Sequence, residues 1–185
     1  MEWILTYIIP VLLASDALFL SISGGVTMRP FNSLQAIKIA GIFAITLSIS
    51  GILAFLLAQL ILPLVLQFSE LTGHVLLLFI GIRFINDARK IKNEERTFLL
   101  QDHKILFISA FAASFIIFLA FFGLGFIQTE LQKSLLTLGI SVFIFSFSGI
   151  FIGSHYQPLR LGRSSKFAAG LLMAIFIIIH YINQL

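Results

Sequence analysis

The chain contains no cysteine, which removes disulfides, thiolate metal sites and thiol catalysis at once. Charge is nearly as scarce. Charged residues make up 11% of the 185, where an ordinary soluble domain has about 25%. A soluble globule of this length cannot clothe its surface with so few. Also missing is any grouping of nucleophile, base and orienting residue, so no enzyme is expected and no cofactor is called for. His74, His103 and His155 stand in or beside expected loops and share no metal-ligand spacing.

Apolar residues take the place of charge. They form 59% of the chain, with 21 phenylalanines, and mean hydropathy is +1.07. They fall into stretches of about 20 residues, the length that crosses a hydrocarbon core of about 30 Å. The lipid bilayer is therefore the first expected partner. A formal charge of +4 and a pI near 9.7 do not point to nucleic acid, because the basic residues sit in short loops beside apolar segments. The first apolar stretch lacks a signal peptide's marks. Glu2 stands where a positive region would be and no A-x-A site follows, so this stretch is expected to remain as a helix.

Six spans can be read: about 3–23, 36–57, 71–85, 105–126, 135–152 and 167–182. Apolar character continues past the second through Pro63 to Leu66, so that helix is long, tilted or kinked. With the N-terminus outside, Arg29, Lys38, Arg83, Arg89, Lys90, Lys92, Arg96, Lys104, Arg160, Arg163 and Lys166 all lie inside. Only Lys133 is left outside. So lopsided a distribution predicts both termini outside a cell's inner membrane.

The two halves resemble one another. Ala14–Leu20 resembles Ala113–Leu119, Ser48–Ile52 matches Ser146–Ile150, and Arg83–Asn86 matches His180–Asn183, at offsets of 99, 98 and 97. A three-helix unit is odd-numbered, so its second copy enters the membrane from the other side. The expected fold is thus an all-α polytopic membrane protein, six transmembrane helices arranged as two inverted three-helix repeats. Residues 1–88 form one repeat, 89–104 a charged cytoplasmic linker and 105–185 the other. Inverted repeats that rock about a central site are a recurring plan of secondary transporters. Small residues stripe the second helix (Gly41, Ala44, Ser48, Gly51, Ala54, Ala58) and the fifth (Gly139, Ser146, Gly149, Gly153). Such stripes let backbones approach in lipid, either between these two helices or across a homodimer or membrane partner protein.

One carboxylate lies deep in the bilayer. Asp16 is 13 residues past Trp3, about 20 Å along a helix. Placing an aspartate there costs roughly 2.5–3.5 kcal/mol, so it is a candidate for binding a cation or carrying a proton. A structural alternative is a salt bridge, for instance to Lys38, or a hydrogen bond to a serine. Ser23 shares the face of Asp16, and Ser15 and Ser21 flank it, which makes Asp16, Ser21 and Ser23 the candidate ion site. Arg83, Asn86, His180 and Asn183 read as snorkelling boundary residues.

At these residues the chain resembles the manganese efflux pump family, within the lysine-exporter-like transporters. Leu13–Ser23 (LASDALFLSIS) is similar to the family's first-helix pattern L-S-M-D-A-F-A-V-S-I-S. Gly81-Ile82-Arg83 resembles its G-G-R/K, and Ala169-Gly170-Leu171 its G-G-L. The resemblance implies a transporter that exports a cation or small solute, manganese(II) before any other, with Asp16 as metal ligand and Ser21 and Ser23 assisting. The chain departs from the pattern at four places. The family's fourth-helix aspartate is missing from Ala113–Ile117, Leu47 and Gly51 replace a polar residue and a proline, and Lys166 stands near an expected acid. One carboxylate leaves a divalent ion under-compensated by one charge, which keeps open a monovalent ion, a zwitterion, or a non-transporting scaffold within a larger membrane complex.

Overall fold

A computed structural model describes residues 3–28, 30–90, 102–156 and 159–182. Glu2, Arg29, Lys92, Arg96 and Asn183 lie outside the described residues, as do the side chains of His103 and Arg160. Six long helices form: α1 (Ile9–Gly25), α2 (Ser33–Ile61), α3 (Ser69–Lys90), α4 (His103–Phe126), α5 (Leu131–Tyr156) and α6 (Leu159–Ile182). All six are long and apolar enough to cross a membrane.

Local chemistry sets the helix ends. Pro10 lacks an N–H, and the wider π-turn Ile4–Ile8 directly before it relieves the clash of its ring with the preceding turn. The Asn32 side chain accepts from the N–H groups of Leu34 and Gln35, capping α2, and Asp102 accepts from Lys104 to cap α4. Pro63 cannot continue α2, which tightens into the turn Leu62–Leu64 before Leu66–Phe68 leads into α3. At the end of α4, Gln128 takes a φ of 60°, and its N–H and that of Thr129 bond back to Gly125 and Leu124.

Several spans are longer than hydropathy indicates, and in two of them the extension takes in charged residues. Asp87, Arg89 and Lys90 belong to α3, and Arg163 and Lys166 to α6, rather than to loops. Lys, Arg and Ser extend a helix readily once it has nucleated, although they end an apolar window. Long aliphatic and aromatic side chains such as Leu60, Phe111 and Leu136 face outward, as a lipid-contacting surface requires.

The packing has a simple symmetry. The main contacts are α1 with α5, α2 with α4, α3 with α6, α2 with α5, α1 with α6 and α3 with α4. Exchanging α1, α2 and α3 for α4, α5 and α6 leaves this set unchanged. Every one of these contacts joins the first half of the chain to the second, and helices consecutive within either half hardly touch. The tightest seams run where glycines sit. Gly149 and Gly153 press on the Leu18–Gly25 backbone of α1, Gly81 meets Gly170 between α3 and α6, and Gly73 meets Gly123 between α3 and α4. The α2–α5 contact is real but lighter, with Gly139 facing the Ser48 hydroxyl. The Gly149–Gly153 pair, open from sequence to a dimer role, is spent inside the fold.

Candidate ion site

Asp16 sits midway along α1 and is 6% exposed. Its Oδ1 accepts from the Lys166 Nζ of α6 at 2.5 Å, across 150 residues of chain. The same ammonium lies 3.6 Å from Asp87 Oδ2 on α3, and Asp87 is 3.8 Å from Arg83 Nε. Lys166 is as buried as Asp16, its Nζ lying between the rings of Phe19 and Phe84 at 5.7 and 5.2 Å from their centroids. A face of aromatic electrons favours a cation there.

These groups line a cavity of about 400 Å³ between α1, α3, α4 and α6. Its polar wall is Asp16, Arg83, Asp87, Lys90, Ser109 and Lys166, while Ala113 and Ile116 form the apolar wall on α4. Asp87 and Arg83 are each 37% exposed, so the cavity mouth lies at the end of the bundle where α3 finishes. Three cationic side chains face two carboxylates, a net charge of +1. Among the described residues no three His, Cys, Asp or Glu side chains come together to hold a metal ion.

The other sequence candidates lie elsewhere. Ser21 and Ser23 are fully buried and do not line this cavity, and their hydroxyls have no hydrogen-bond partner among the described residues. Ser21 is pressed against Gly149 of α5, and Ser23 is two turns beyond Asp16, about 10 Å along the helix. Periodicity gives a shared face but not a shared depth. Lys38 is exposed and plays no part; the partner of Asp16 is Lys166. Sequence reasoning missed Asp87, Ser109 and Lys166, the last because it reads as one more basic residue at a cytoplasmic boundary.

At the opposite end, His74 and His180 are both buried and joined, Nε2 to Nδ1, at 3.0 Å. His180 is therefore a packing residue between α3 and α6 and does not snorkel. His74 Nδ1 donates to the Glu70 carbonyl at 2.6 Å, since a carbonyl only accepts, so in the neutral pair His180 donates to His74 Nε2. A smaller polar cavity of about 160 Å³, lined by Glu70, Gln128, Glu130 and His180 among others, adjoins this end.

The family described as "Putative manganese efflux pump" matches residues 30–179. The chain belongs to the manganese efflux pump family. Among its relatives, the "Putative manganese efflux pump MntP" of Cronobacter sakazakii is 28% identical over 163 residues, 87% of this chain and 86% of that protein. The proteins of the same name from Crocosphaera subtropica and Methanosarcina acetivorans are 27% and 26% identical, covering 88% and 83% of this chain and 86% and 82% of their own length. No solved structure matches. Membership makes the chain a polytopic membrane protein of a family described as a transporter and not as an enzyme. Two of the four departures from the resemblance fall on the cavity: Ala113 and Ile116, where the fourth-helix aspartate is missing, line its wall, and Lys166 holds Asp16.

Proposed function

We propose that this chain is a secondary transporter of the inner membrane that exports a cation, with manganese(II) the first cargo to test. The observation that carries the reading is the position of Asp16, a lone mid-membrane carboxylate on the wall of a polar cavity between the two halves. The names of the relatives supply the metal. Manganese(II) suits carboxylate, carbonyl and water oxygens. Since the wall offers few anionic oxygens, the ion would keep much of its water. Ser109, on the cavity wall, replaces Ser21 and Ser23 as the neutral oxygen within reach.

The basic mouth of the cavity, with Arg83 and Lys90, is the cytoplasmic end by the positive-inside rule, which puts both termini outside. A cavity open on that side is the loading state an exporter needs. At the far end the His74–His180 pair ties α3 to α6. Because all main contacts cross between the halves, residues 1–88 and 105–185 cannot rock as two separate blocks.

The test is manganese flux in proteoliposomes for wild type and Asp16→Asn. Flux in wild type and its loss in the folded variant is the expected outcome; a folded, inserted wild type that moves none refutes the reading. One observation favours a second reading, a non-transporting scaffold. Asp16 already has its counter-charge in Lys166, which is what a purely structural carboxylate would require.

A further inference from the structure

We infer that Lys166 is a tethered cation that competes with the transported ion for Asp16, and that loading passes its ammonium from Asp16 to Asp87. This deepens the transport reading and rests on it.

Three features of the site carry the inference. The ammonium is already placed between two carboxylates on different helices, 2.5 Å from Asp16 and 3.6 Å from Asp87. It is almost fully buried, so an unpaired ammonium there is costly and a second carboxylate is its favoured destination. Among the described residues of the cavity wall, Asp87 is the other carboxylate. The Phe19 and Phe84 rings flank the ammonium and favour a cation in that position.

Charge then dictates the order of events. With Lys166 on Asp16 the cavity carries a net +1, and a divalent ion added there meets no uncompensated carboxylate. Moving the ammonium to Asp87 releases Asp16 for the ion and leaves Lys166 and Asp16 each beside an opposite charge, with the ion's second charge left to the water it keeps. Arg83, displaced from Asp87, is more than a third exposed and can be solvated at the mouth. No proton is gained or lost. An incoming ion must outcompete an ammonium, which selects for high charge density and against potassium and sodium. Lys166 is thus a specificity-determining residue.

The probe is manganese(II) alone, bound to the purified full chain in lipid nanodiscs and read from loss of the free aquo-ion's electron paramagnetic resonance signal. Lys166→Met is expected to bind at least tenfold tighter than wild type, and the gain should vanish in Lys166→Met with Asp16→Asn. Asp87→Asn removes the second seat and keeps the Asp16–Lys166 pair, so it is expected to fold and to bind about tenfold weaker. In the Lys166→Met background, Asp87→Asn should weaken binding by a smaller factor than it does in wild type, because only the direct attraction of Asp87 for the ion is lost and no ammonium remains to be received. A folded Lys166→Met that binds no tighter than wild type overturns the proposal. Should Lys166→Met fail to fold, an Asp87→Asn that binds like wild type overturns it instead. Flux separates this from the transport reading: tighter binding in Lys166→Met without wild-type flux upholds the competition and refutes transport. Wild-type flux with unchanged binding does the reverse.

Discussion

Replacing Gly149 by alanine should loosen the molecule although it adds one methyl group. The new Cβ would lie 2.8 Å from Ser21 Cβ, 2.9 Å from the Leu18 carbonyl oxygen and 3.2 Å from the Ile22 nitrogen. Carbon atoms rest at about 3.5–4.0 Å, so the α1–α5 seam must open by roughly 0.7 Å or more. Two of those neighbours are backbone atoms and cannot step aside as a side chain would. A radial gap of 0.5–1 Å forfeits about a quarter to a half of each contact's attraction, and overpacking of this kind costs about 1–3 kcal/mol or more. Alanine's better helix propensity returns about 1 kcal/mol. A clash with backbone atoms puts the cost in the upper part of that range, about 2–3 kcal/mol, so the net expectation is a loss of about 1–2 kcal/mol. Gly41→Ala is the matched control: its Cβ meets nothing within 4 Å, and it should gain about 0.5–1 kcal/mol. Reversible unfolding in mixed micelles with increasing dodecyl sulfate, followed by circular dichroism, measures both. The reasoning fails if Gly149→Ala is as stable as wild type, or lies within about 0.5 kcal/mol of Gly41→Ala.

The same assay reads three further expectations. Lys166→Met should destabilise more than Asp16→Asn, because Lys166 keeps Asp87 as a second carboxylate while Asp16 keeps no cation; stranding one buried charge costs about 3–5 kcal/mol, and equal losses would contradict the pairing. His180→Leu leaves the His74 Nε2 acceptor without its donor and should cost about 1–3 kcal/mol, and a cycle with His74→Leu should show non-additivity above about 0.5 kcal/mol. Gln128→Gly removes a side chain from a left-handed position worth about 1–2 kcal/mol of strain, partly offset by glycine's greater freedom when unfolded. It should raise stability by about 0.5–1 kcal/mol, and a fall would show that Gln128 makes a contact of greater value.

The six helices were legible because each holds a run of apolar residues long enough to span lipid, a property of local sequence alone. Asp16 was legible for the same reason: one acid in such a run carries a cost that demands a use. Its partner was not. Lys166 lies 150 residues away beside Arg163, where it reads as a boundary charge, and only the docking of α6 on α1 reveals that it is buried. The His74–His180 pair was hidden likewise, its members being 106 residues apart. Glycine spacing announced close approach without naming the helix approached, so Gly149 and Gly153 were matched to α2 when their seat is α1. Ser21 and Ser23 share this limit, since periodicity gives a direction around α1 and says nothing of which neighbour covers it.

The crosswise packing also bears on how the chain is born. Synthesis runs at about 5–20 residues per second, so Asp16 precedes Lys166 by roughly 8–30 s. During that interval α1, α2 and α3 have few contacts to make with one another, and their real neighbours are still untranslated. A helix carrying an uncompensated carboxylate must therefore wait in or beside the insertion machinery, exposed to quality control, until the last helix delivers the ammonium that makes it welcome in lipid.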